Sequence, residues 1–254
     1  GQRGRAVGGM WILPTRNSLS RKARTERNLS ERLVTVTDPD GVVSEAYRTL
    51  RTSLLYSLVD NPPKVITITS PGPREGKSTT CSNLAVVLAQ AGKNVLLLEC
   101  DFRKPVVHRI FELRNLRGIV DVLAEERDAQ EVWHEPIQGL KVITAGPVPT
   151  NPAELLGSER FARFLDQMRQ DFDYVLIDAP PVQTVSDPMI VAAQSDGVLL
   201  VLDAQSTRKV AIRRSVRGLE SVGANVLGTI MNNARASEVG YGGGYTYSYT
   251  QDKK

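Results

Sequence analysis

The sequence predicts an α/β protein with a doubly wound, mostly parallel β-sheet and helices on both faces. Six short runs rich in Val, Ile and Leu lack polar alternation, which is typical of strands buried on both faces. These runs are 65–69, 94–99, 141–146, 174–179, 197–203 and 226–232. Helical segments at 78–91, 158–170, 186–194 and 206–222 lie between them, and this alternation favours βαβ units. With 254 residues, 41% of them hydrophobic, the chain has enough apolar material for one large domain.

Composition divides the chain into three parts. Residues 1–36 show little apolar periodicity and are predicted to form a flexible basic arm, with eight Lys or Arg against two Glu in residues 1–32. The folded domain is predicted at 37–236, beginning with a helix over 44–58 that Ser44 caps. Residues 237–254 are predicted as a flexible tyrosine-rich tail. The arm suits an anionic lipid, nucleic acid or acidic protein surface, and it equally suits a solvated lead-in.

Cysteine and hydropathy patterns indicate a cytoplasmic protein. Cys81 and Cys100 fit no C-x-x-C pattern and are interpreted as reduced thiols. The sequence contains no run of about 18 apolar residues, so no membrane span is predicted. The apolar stretch MWILP is too short for the hydrophobic region of a signal peptide. His108 and His134 lack other ligands at suitable spacing, so we assign them no metal site.

A phosphate-binding loop is predicted where the first apolar run meets a helix. The sequence from Ser70 reads SPGPREGKST, with Gly76-Lys77-Ser78 opening the helix. This context is that of a P-loop, whose backbone N–H groups cradle phosphates at the positive helix end. The strict pattern has glycine at position 71, where this chain has proline. The expected nucleotide-binding residues of the loop are Gly72, Pro73, Arg74, Glu75, Gly76, Lys77, Ser78 and Thr79.

Carboxylates follow two of the predicted strands. Glu99 and Asp101 lie where the run LLLE ends, and Asp178 ends the run YVLID. The carboxyl ends of parallel strands share one edge of the sheet, so these groups are expected near the P-loop. If the first of these strands continues, Glu99 and Asp101 share one face. Carboxylates there suit Mg²⁺, directly or through water, and the predicted metal ligands are Ser78, Glu99, Asp101 and Asp178.

Together these motifs resemble the bacterial protein-tyrosine kinase (BY-kinase) family of capsule and exopolysaccharide synthesis. SPGPREGKST matches its Walker A motif, while LLLECDFRKP and YVLIDAPP resemble its Walker A′ and Walker B motifs. Glu45, Arg48 and Arg51 reproduce its E-x-x-R-x-x-R oligomerisation motif. The resemblance extends from about Val42 to the chain end. Glu99 departs from it, because the family usually has aspartate there.

The resemblance implies an ATP- and Mg²⁺-dependent tyrosine autokinase with a P-loop NTPase fold. Lys77 and the loop amides would hold the β- and γ-phosphates, and Asp101 would accept the tyrosine proton. Asp178 is expected at the metal. Arg103 either assists an anion or pairs with a carboxylate. Asn232, which ends the last predicted strand, is expected to touch adenine by resemblance to related P-loop ATPases.

The tail supplies the expected acceptors, Tyr241, Tyr245, Tyr247 and Tyr249. The resemblance further implies a homo-oligomer, expected to be a ring, whose subunits present tails to one another. The other implied partners are a transmembrane polysaccharide co-polymerase or adaptor at the inner face of the plasma membrane and a cognate tyrosine phosphatase; no nucleic acid is expected. The sequence leaves open whether the chain is a separate kinase or the cytoplasmic piece of a membrane-fused one.

Two rival functions share the predicted fold. A partition or positioning ATPase of the ParA/MinD type would bind ATP without modifying protein. That class has a signature lysine near the start of the phosphate loop, and this chain has Gly72 at the equivalent position. A non-catalytic scaffold that binds nucleotide and regulates polysaccharide export is the other alternative, and Glu99 is its one supporting feature. A test for phosphotyrosine after incubation with ATP and Mg²⁺ separates all three.

Overall fold

A computed structural model describes residues 9–14, 30–56, 62–125 and 127–234. Over these ranges the chain forms one eight-stranded sheet in the order β1-β8-β7-β2-β6-β3-β5-β4. The strands are β1 (Gly9–Pro14), β2 (Val65–Thr69), β3 (Val95–Glu99), β4 (His134–Ile137), β5 (Leu140–Ile143), β6 (Tyr174–Asp178), β7 (Gly197–Asp203) and β8 (Val226–Ala234). Every pairing is parallel except that of β4 with β5. The predicted fold class is confirmed.

Helices cover both faces of this sheet. They are α1 (Val34–Thr37), α2 (Val42–Tyr56), α3 (Lys77–Gln90), α4 (Val107–Ile110), α5 (Ile119–Glu125), α6 (Pro152–Leu156), α7 (Glu159–Asp171), α8 (Asp187–Ala193) and α9 (Lys209–Ser221). In the described ranges, no helix is both long enough and apolar enough to cross a bilayer. Ser44 does not cap α2 as predicted, because the helix begins two residues earlier and the Ser44 hydroxyl donates to the carbonyls of Val34 and Asp38.

Alternate residues of the central strands enter different apolar layers. In β3, Val95 and Leu97 belong to the layer beneath α2 and α3. Leu96 and Leu98 belong to the layer beneath α5 and α7. All four side chains are fully buried, which explains why the strand sequence lacks polar alternation. Burial on both faces fixes the position of each strand along its axis in the sheet. It therefore also fixes where the last residue of the strand lies.

The predicted arm is partly a strand. Residues 9–14 form β1, which pairs in parallel with β8 and places Leu13 in the core. The expectation of an arm over 1–36 is therefore wrong for this segment: a single edge strand needs only a few inward apolar side chains and gives little periodicity. Residues 1–8 and 15–29 lie outside the described residues. The predicted tail, including Tyr241, Tyr245, Tyr247 and Tyr249, also lies outside them.

Candidate active site

The loop between β2 and α3 is shaped by Gly76. The backbone φ angle of Gly76 is +90°, in the left-handed region. Any residue with a Cβ would be destabilised in this conformation, whereas glycine adopts it readily. A Cβ at this position would lie 2.1 Å from the amide nitrogen of Asn232. Glycine is therefore required both by the backbone conformation and by the close approach of β8. Pro73 and Arg74 form the exposed outer side of the loop.

Lys77, the first residue of α3, joins both predicted acidic strand ends. Its ammonium lies 2.9 Å from Asp101 Oδ2 and 3.1 Å from Asp178 Oδ1. It also donates to Ser78 Oγ at 3.1 Å. The side chains of Lys77, Asp101 and Asp178 are all buried, so these pairs are poorly screened by solvent. The structure thus brings together four of the predicted site residues at the carboxyl edge of the sheet.

Burial and neighbouring charges shift the pKa values of Lys77 and Asp178. Burial alone would lower the pKa of Lys77, but the neighbouring carboxylates of Asp178 and Asp101 outweigh it and raise that pKa. Burial raises the pKa of Asp178 to about 6, against the opposing attraction of Lys77. Lys77 is therefore charged at neutral pH, and Asp178 changes its charge in the mildly acidic range.

The residues around Lys77 suit Mg²⁺ bound together with a nucleotide. Asp178 Oδ2 is buried and accepts no hydrogen bond, so one carboxylate oxygen remains available. In the described part of the chain, no three His, Cys, Asp or Glu side chains are grouped so that they could hold a metal by themselves. Mg²⁺ usually takes one or two carboxylates and completes its shell with water and substrate phosphates. An incomplete protein shell of Ser78 and aspartate oxygens fits this preference.

Asp101 reaches Lys77 because the strand stops before it. β3 ends at Glu99, and Asp101 Oδ1 accepts a hydrogen bond from the backbone N–H of Lys104 at 3.1 Å. This turn leaves the other carboxylate oxygen directed at Lys77. Glu99 and Asp101 are expected to share one strand face only if the strand continues, and that condition is not met because β3 ends at Glu99.

Glu99 is separate from the Lys77 group. Its Oε1 accepts hydrogen bonds from the backbone N–H groups of Val106 and Val107, and its Oε2 accepts one from Ala145 at 3.2 Å. His108 Nδ1 lies 3.9 Å from Oε2. The side chain is fully buried and both oxygens are used. Glu99 thus ties β3 to α4 and to the end of β5. These contacts disfavour a metal-binding role, and the expectation of Glu99 as a metal ligand stays a prediction.

Arg103 pairs with a carboxylate, the second of the two alternatives. Its Nε lies 3.1 Å from Oδ2 of Asp187, the buried first residue of α8. The guanidinium is half exposed. Sequence reasoning did not single out Asp187, although an Asp-Pro pair at the start of a helix is a signal of that helix start.

Glu75 connects the loop to the β7–α9 connection. One carboxylate oxygen accepts from the Gly72 N–H at 2.9 Å, and the other accepts from the Thr207 hydroxyl at 2.9 Å. Burial raises the pKa of Glu75. Sequence reasoning missed Thr207; its position after the strand-end residue Asp203 was the available signal.

Asn232 lies against the loop. Its side-chain amide donates to the carbonyl oxygen of Glu75 at 3.2 Å, above Gly76. The structure therefore gives Asn232 a loop contact, and its expected contact with adenine stays a prediction.

The predicted oligomerisation motif lies on α2 and its residues differ in exposure. Arg48 pairs with the exposed Glu45 at 2.8 Å. Arg51 instead folds inward and donates to the carbonyl oxygen of Val87 in α3 at 3.2 Å. A surface for a neighbouring subunit would therefore use Glu45 and Arg48, with Arg51 fixing α2 on α3.

Comparison with known proteins identifies the family. The AAA domain family matches residues 63–226. The tyrosine-protein kinase YwqD of Bacillus subtilis is 39% identical over 88% of this chain and 94% of its own. The putative tyrosine-protein kinase CapB of Staphylococcus aureus is 33% identical over 84% of this chain and 93% of its own. The solved kinase domain of the Escherichia coli tyrosine kinase ETK superposes with a TM-score of 0.81 at 30% identity, covering 94% of this chain and 93% of that one. The chain therefore belongs to the bacterial tyrosine-protein kinases.

Proposed function

We propose that this kinase uses Mg²⁺ and ATP to phosphorylate Tyr241, Tyr245, Tyr247 and Tyr249 of its own tail, acting between subunits. The single observation that carries the proposal is the position of Lys77 between Asp101 and Asp178, at the start of a helix that follows a P-loop. Phosphoryl transfer depends mainly on positioning and on neutralising phosphate charge. This group of charges supplies both at one edge of the sheet.

Lys77 changes partners when nucleotide binds. Its ammonium is held by two carboxylates, so it is already directed into the loop. The β- and γ-phosphates offer it stronger charge-assisted bonds, and the loop amides through Thr79 complete the cradle. Lys77 then leaves Asp101, whose carboxylate is released for a second role.

The metal position falls to Ser78 and Asp178. When bound there, Mg²⁺ would neutralise phosphate charge during the transfer. Asp178 Oδ2 has no hydrogen-bond partner and is available as a metal ligand. Ser78 Oγ accepts a hydrogen bond from the same Lys77 ammonium that Asp178 contacts, so the two groups lie close together. Asp101 is the nearest further carboxylate, acting directly or through water.

Asp101 is the proposed acceptor of the tyrosine proton. It is the other carboxylate bound to Lys77, and the backbone of Lys104 fixes its orientation. Once released by Lys77, it regains a basic lone pair beside the phosphates. A positioned general base of this kind contributes typically about 10²–10⁴-fold to rate. Arg103 pairs with Asp187 through Nε alone, and its half-exposed guanidinium would still be able to bind an acidic group of the approaching acceptor.

Assembly supplies the acceptor from another subunit. The exposed Glu45 and its partly buried partner Arg48 on α2 offer both charges to a neighbouring subunit, which favours a ring or another homo-oligomer. By resemblance to its family, the kinase would act on capsule or exopolysaccharide production. Its partners there would be a transmembrane adaptor at the plasma membrane and a cognate tyrosine phosphatase.

The test is an autophosphorylation assay on the whole chain, read by mass spectrometry. With ATP and Mg²⁺, phosphate should appear on the four tail tyrosines, and a Lys77→Met protein should be silent. A variant with all four tyrosines changed to Phe should lose this signal yet still phosphorylate a peptide of residues 235–254. Clear ATP binding without phosphotyrosine on wild type would contradict the proposal and favour a positioning ATPase.

A further inference from the structure

Helix α9 carries an exposed positive surface, which we call the α9 cationic face. It consists of Arg208, Lys209, Arg213, Arg214 and Arg217, all exposed. The opposite side of the helix, with Ile212, Val216 and Leu219, packs into the apolar layer at β7. The cations therefore point to solvent because the helix is amphipathic, and they are free to meet a partner.

These five cations have no anionic partner among residues 30–56, 62–125 and 127–234, where other surface arginines such as Arg127 and Arg169 do form ion pairs. Lys209, Arg213 and Arg217 recur every four residues, so like charges face each other along the helix. Arg208 and Lys209 also lie at the positive end of the helix dipole, and the first turn contains no acidic residue. This arrangement disfavours the isolated helix and is expected where a bound anion compensates it.

The tail leaves the described structure beside this face. β8 ends at Ala234, and the connection that leads into α9 is bound to the residues just before it. The Ala204 N–H donates to the Asn232 carbonyl at 2.9 Å, and the Gln205 amide donates to the Asn233 carbonyl at 3.2 Å. The described chain thus ends, at Ala234, close to the connection that leads into the cationic face.

The tail tyrosines are close enough in sequence to reach every part of the face. Tyr241 follows Ala234 by seven residues, which span at most roughly 23–25 Å when extended. The thirteen residues of α9 span only about 20 Å. Tyr249 lies eight residues further along. Attachment to the same chain also makes the effective concentration high, on the order of millimolar for a short linker.

We propose that the α9 cationic face binds the phosphotyrosines of the chain's own tail. This inference rests on the proposed function, which supplies the phosphates. Residues 235–254 contain three Lys or Arg and two Asp or Glu, so the unmodified tail has almost no net charge and no electrostatic attraction to α9. Each phosphate adds about −1.5 to −2. Modification therefore creates the ligand, and guanidinium groups are suited to bind it through paired hydrogen bonds.

The location of the face gives this contact a regulatory effect. Thr207, next to Arg208, donates to Glu75 of the phosphate loop. A phosphorylated tail bound to α9 is therefore held at the rim of its own subunit's site. It is removed from the neighbouring site where it was modified, which becomes free for the next acceptor.

Binding of synthetic peptides tests the chemistry. The protein is the full chain with Tyr241, Tyr245, Tyr247 and Tyr249 changed to Phe, and the probe is residues 235–254 with all four tyrosines phosphorylated. We expect this peptide to bind at least tenfold more tightly than its unphosphorylated form, with strong weakening by salt. The Lys209→Glu, Arg213→Glu, Arg217→Glu triple variant should lose about tenfold or more of that affinity, since three ion pairs become repulsive. The charge-conserving control, Lys209→Arg, Arg213→Lys, Arg217→Lys, should stay within about threefold of the unchanged helix.

Phosphatase protection tests the contact in the whole chain. After autophosphorylation, a soluble tyrosine phosphatase should remove phosphate several-fold faster from the charge-reversed protein than from the wild type. Protection that persists on tenfold dilution would identify contact within one chain. Equal rates on equally phosphorylated proteins would overturn the inference and leave the kinase function intact, whereas absence of phosphotyrosine from wild type would refute the proposed function itself. Charge-dependent binding of the unmodified protein to phosphatidylglycerol vesicles, with no binding of the phosphopeptide, would overturn it in favour of a lipid surface.

Discussion

The ammonium of Lys77 lies 2.9 Å from the carboxylate of Asp101. The cation expected to bind phosphate and the group expected to accept the tyrosine proton therefore neutralise each other's charge. In the proposed mechanism the phosphates compete with Asp101 for this ammonium. Nucleotide binding would then release Asp101, and its activation would be coupled to occupation of the loop.

The first prediction separates binding from catalysis at Asp101. In an Asp101→Asn protein, Lys77 keeps Asp178 but loses one competitor for phosphate. We expect ATP to bind as tightly as to wild type or up to several-fold more tightly, while tyrosine phosphorylation falls by about 10²-fold or more. Isothermal titration with ATP and a phosphotyrosine time course measure the two quantities. Parallel loss of binding and activity would show that Asp101 acts mainly on nucleotide or metal.

The second prediction concerns pH. The pKa of Asp178 is raised to about 6 by burial, so the carboxylate is ionised above that pH and protonated below it. Only the ionised form binds a cation, and Mg²⁺-dependent ATP affinity should therefore fall as the pH drops through about 6, approaching tenfold per pH unit in acid. Titrations with Mg²⁺ at pH 7.5 and 5.5 measure this. An Asp178→Asn protein is the control: its affinity should be low and nearly independent of pH in this range.

Sequence patterns predicted the structure correctly where a local motif by itself determines the conformation. The apolar runs of β2, β3, β6 and β7 predicted buried parallel strands, and Gly76-Lys77-Ser78 predicted the start of α3. The tertiary contacts were less visible. Glu99 and Asp101 look equivalent in sequence, but the strand ends between them and their carboxylates point to different partners. Thr207 was missed because its role depends on a contact with Glu75, 132 residues away, which no local pattern encodes.

The third prediction follows from the contacts of Glu99. Both its oxygens accept backbone hydrogen bonds, from α4 and from the end of β5, in a fully buried position. Glu99→Gln would replace an acceptor by a donor facing N–H groups, and we expect the free energy of unfolding to fall by about 2–4 kcal/mol. Chemical denaturation measures this.

The matched variant is Glu99→Asp, which introduces the residue expected from the family resemblance. It shortens the side chain by one methylene, so the carboxylate no longer reaches both elements. We expect a loss of stability and no gain in Mg²⁺ affinity. Tighter Mg²⁺ binding with unchanged stability would instead show that the position is a metal ligand.

The last prediction tests the packing of the phosphate loop against β8. A Cβ on residue 76 would overlap the Asn232 amide at 2.1 Å and would also force a side chain into a left-handed conformation. Gly76→Ala should therefore lower ATP affinity by more than tenfold, because the loop must move away from its cradle geometry. Asn232→Ala alone removes only one hydrogen bond to the Glu75 carbonyl, and a loss of threefold or less is expected. The double variant removes the overlap but keeps the strained backbone, which costs about 1–2 kcal/mol. It should recover part of the affinity lost in Gly76→Ala, and strict additivity of the two single effects would show that Asn232 does not limit the loop.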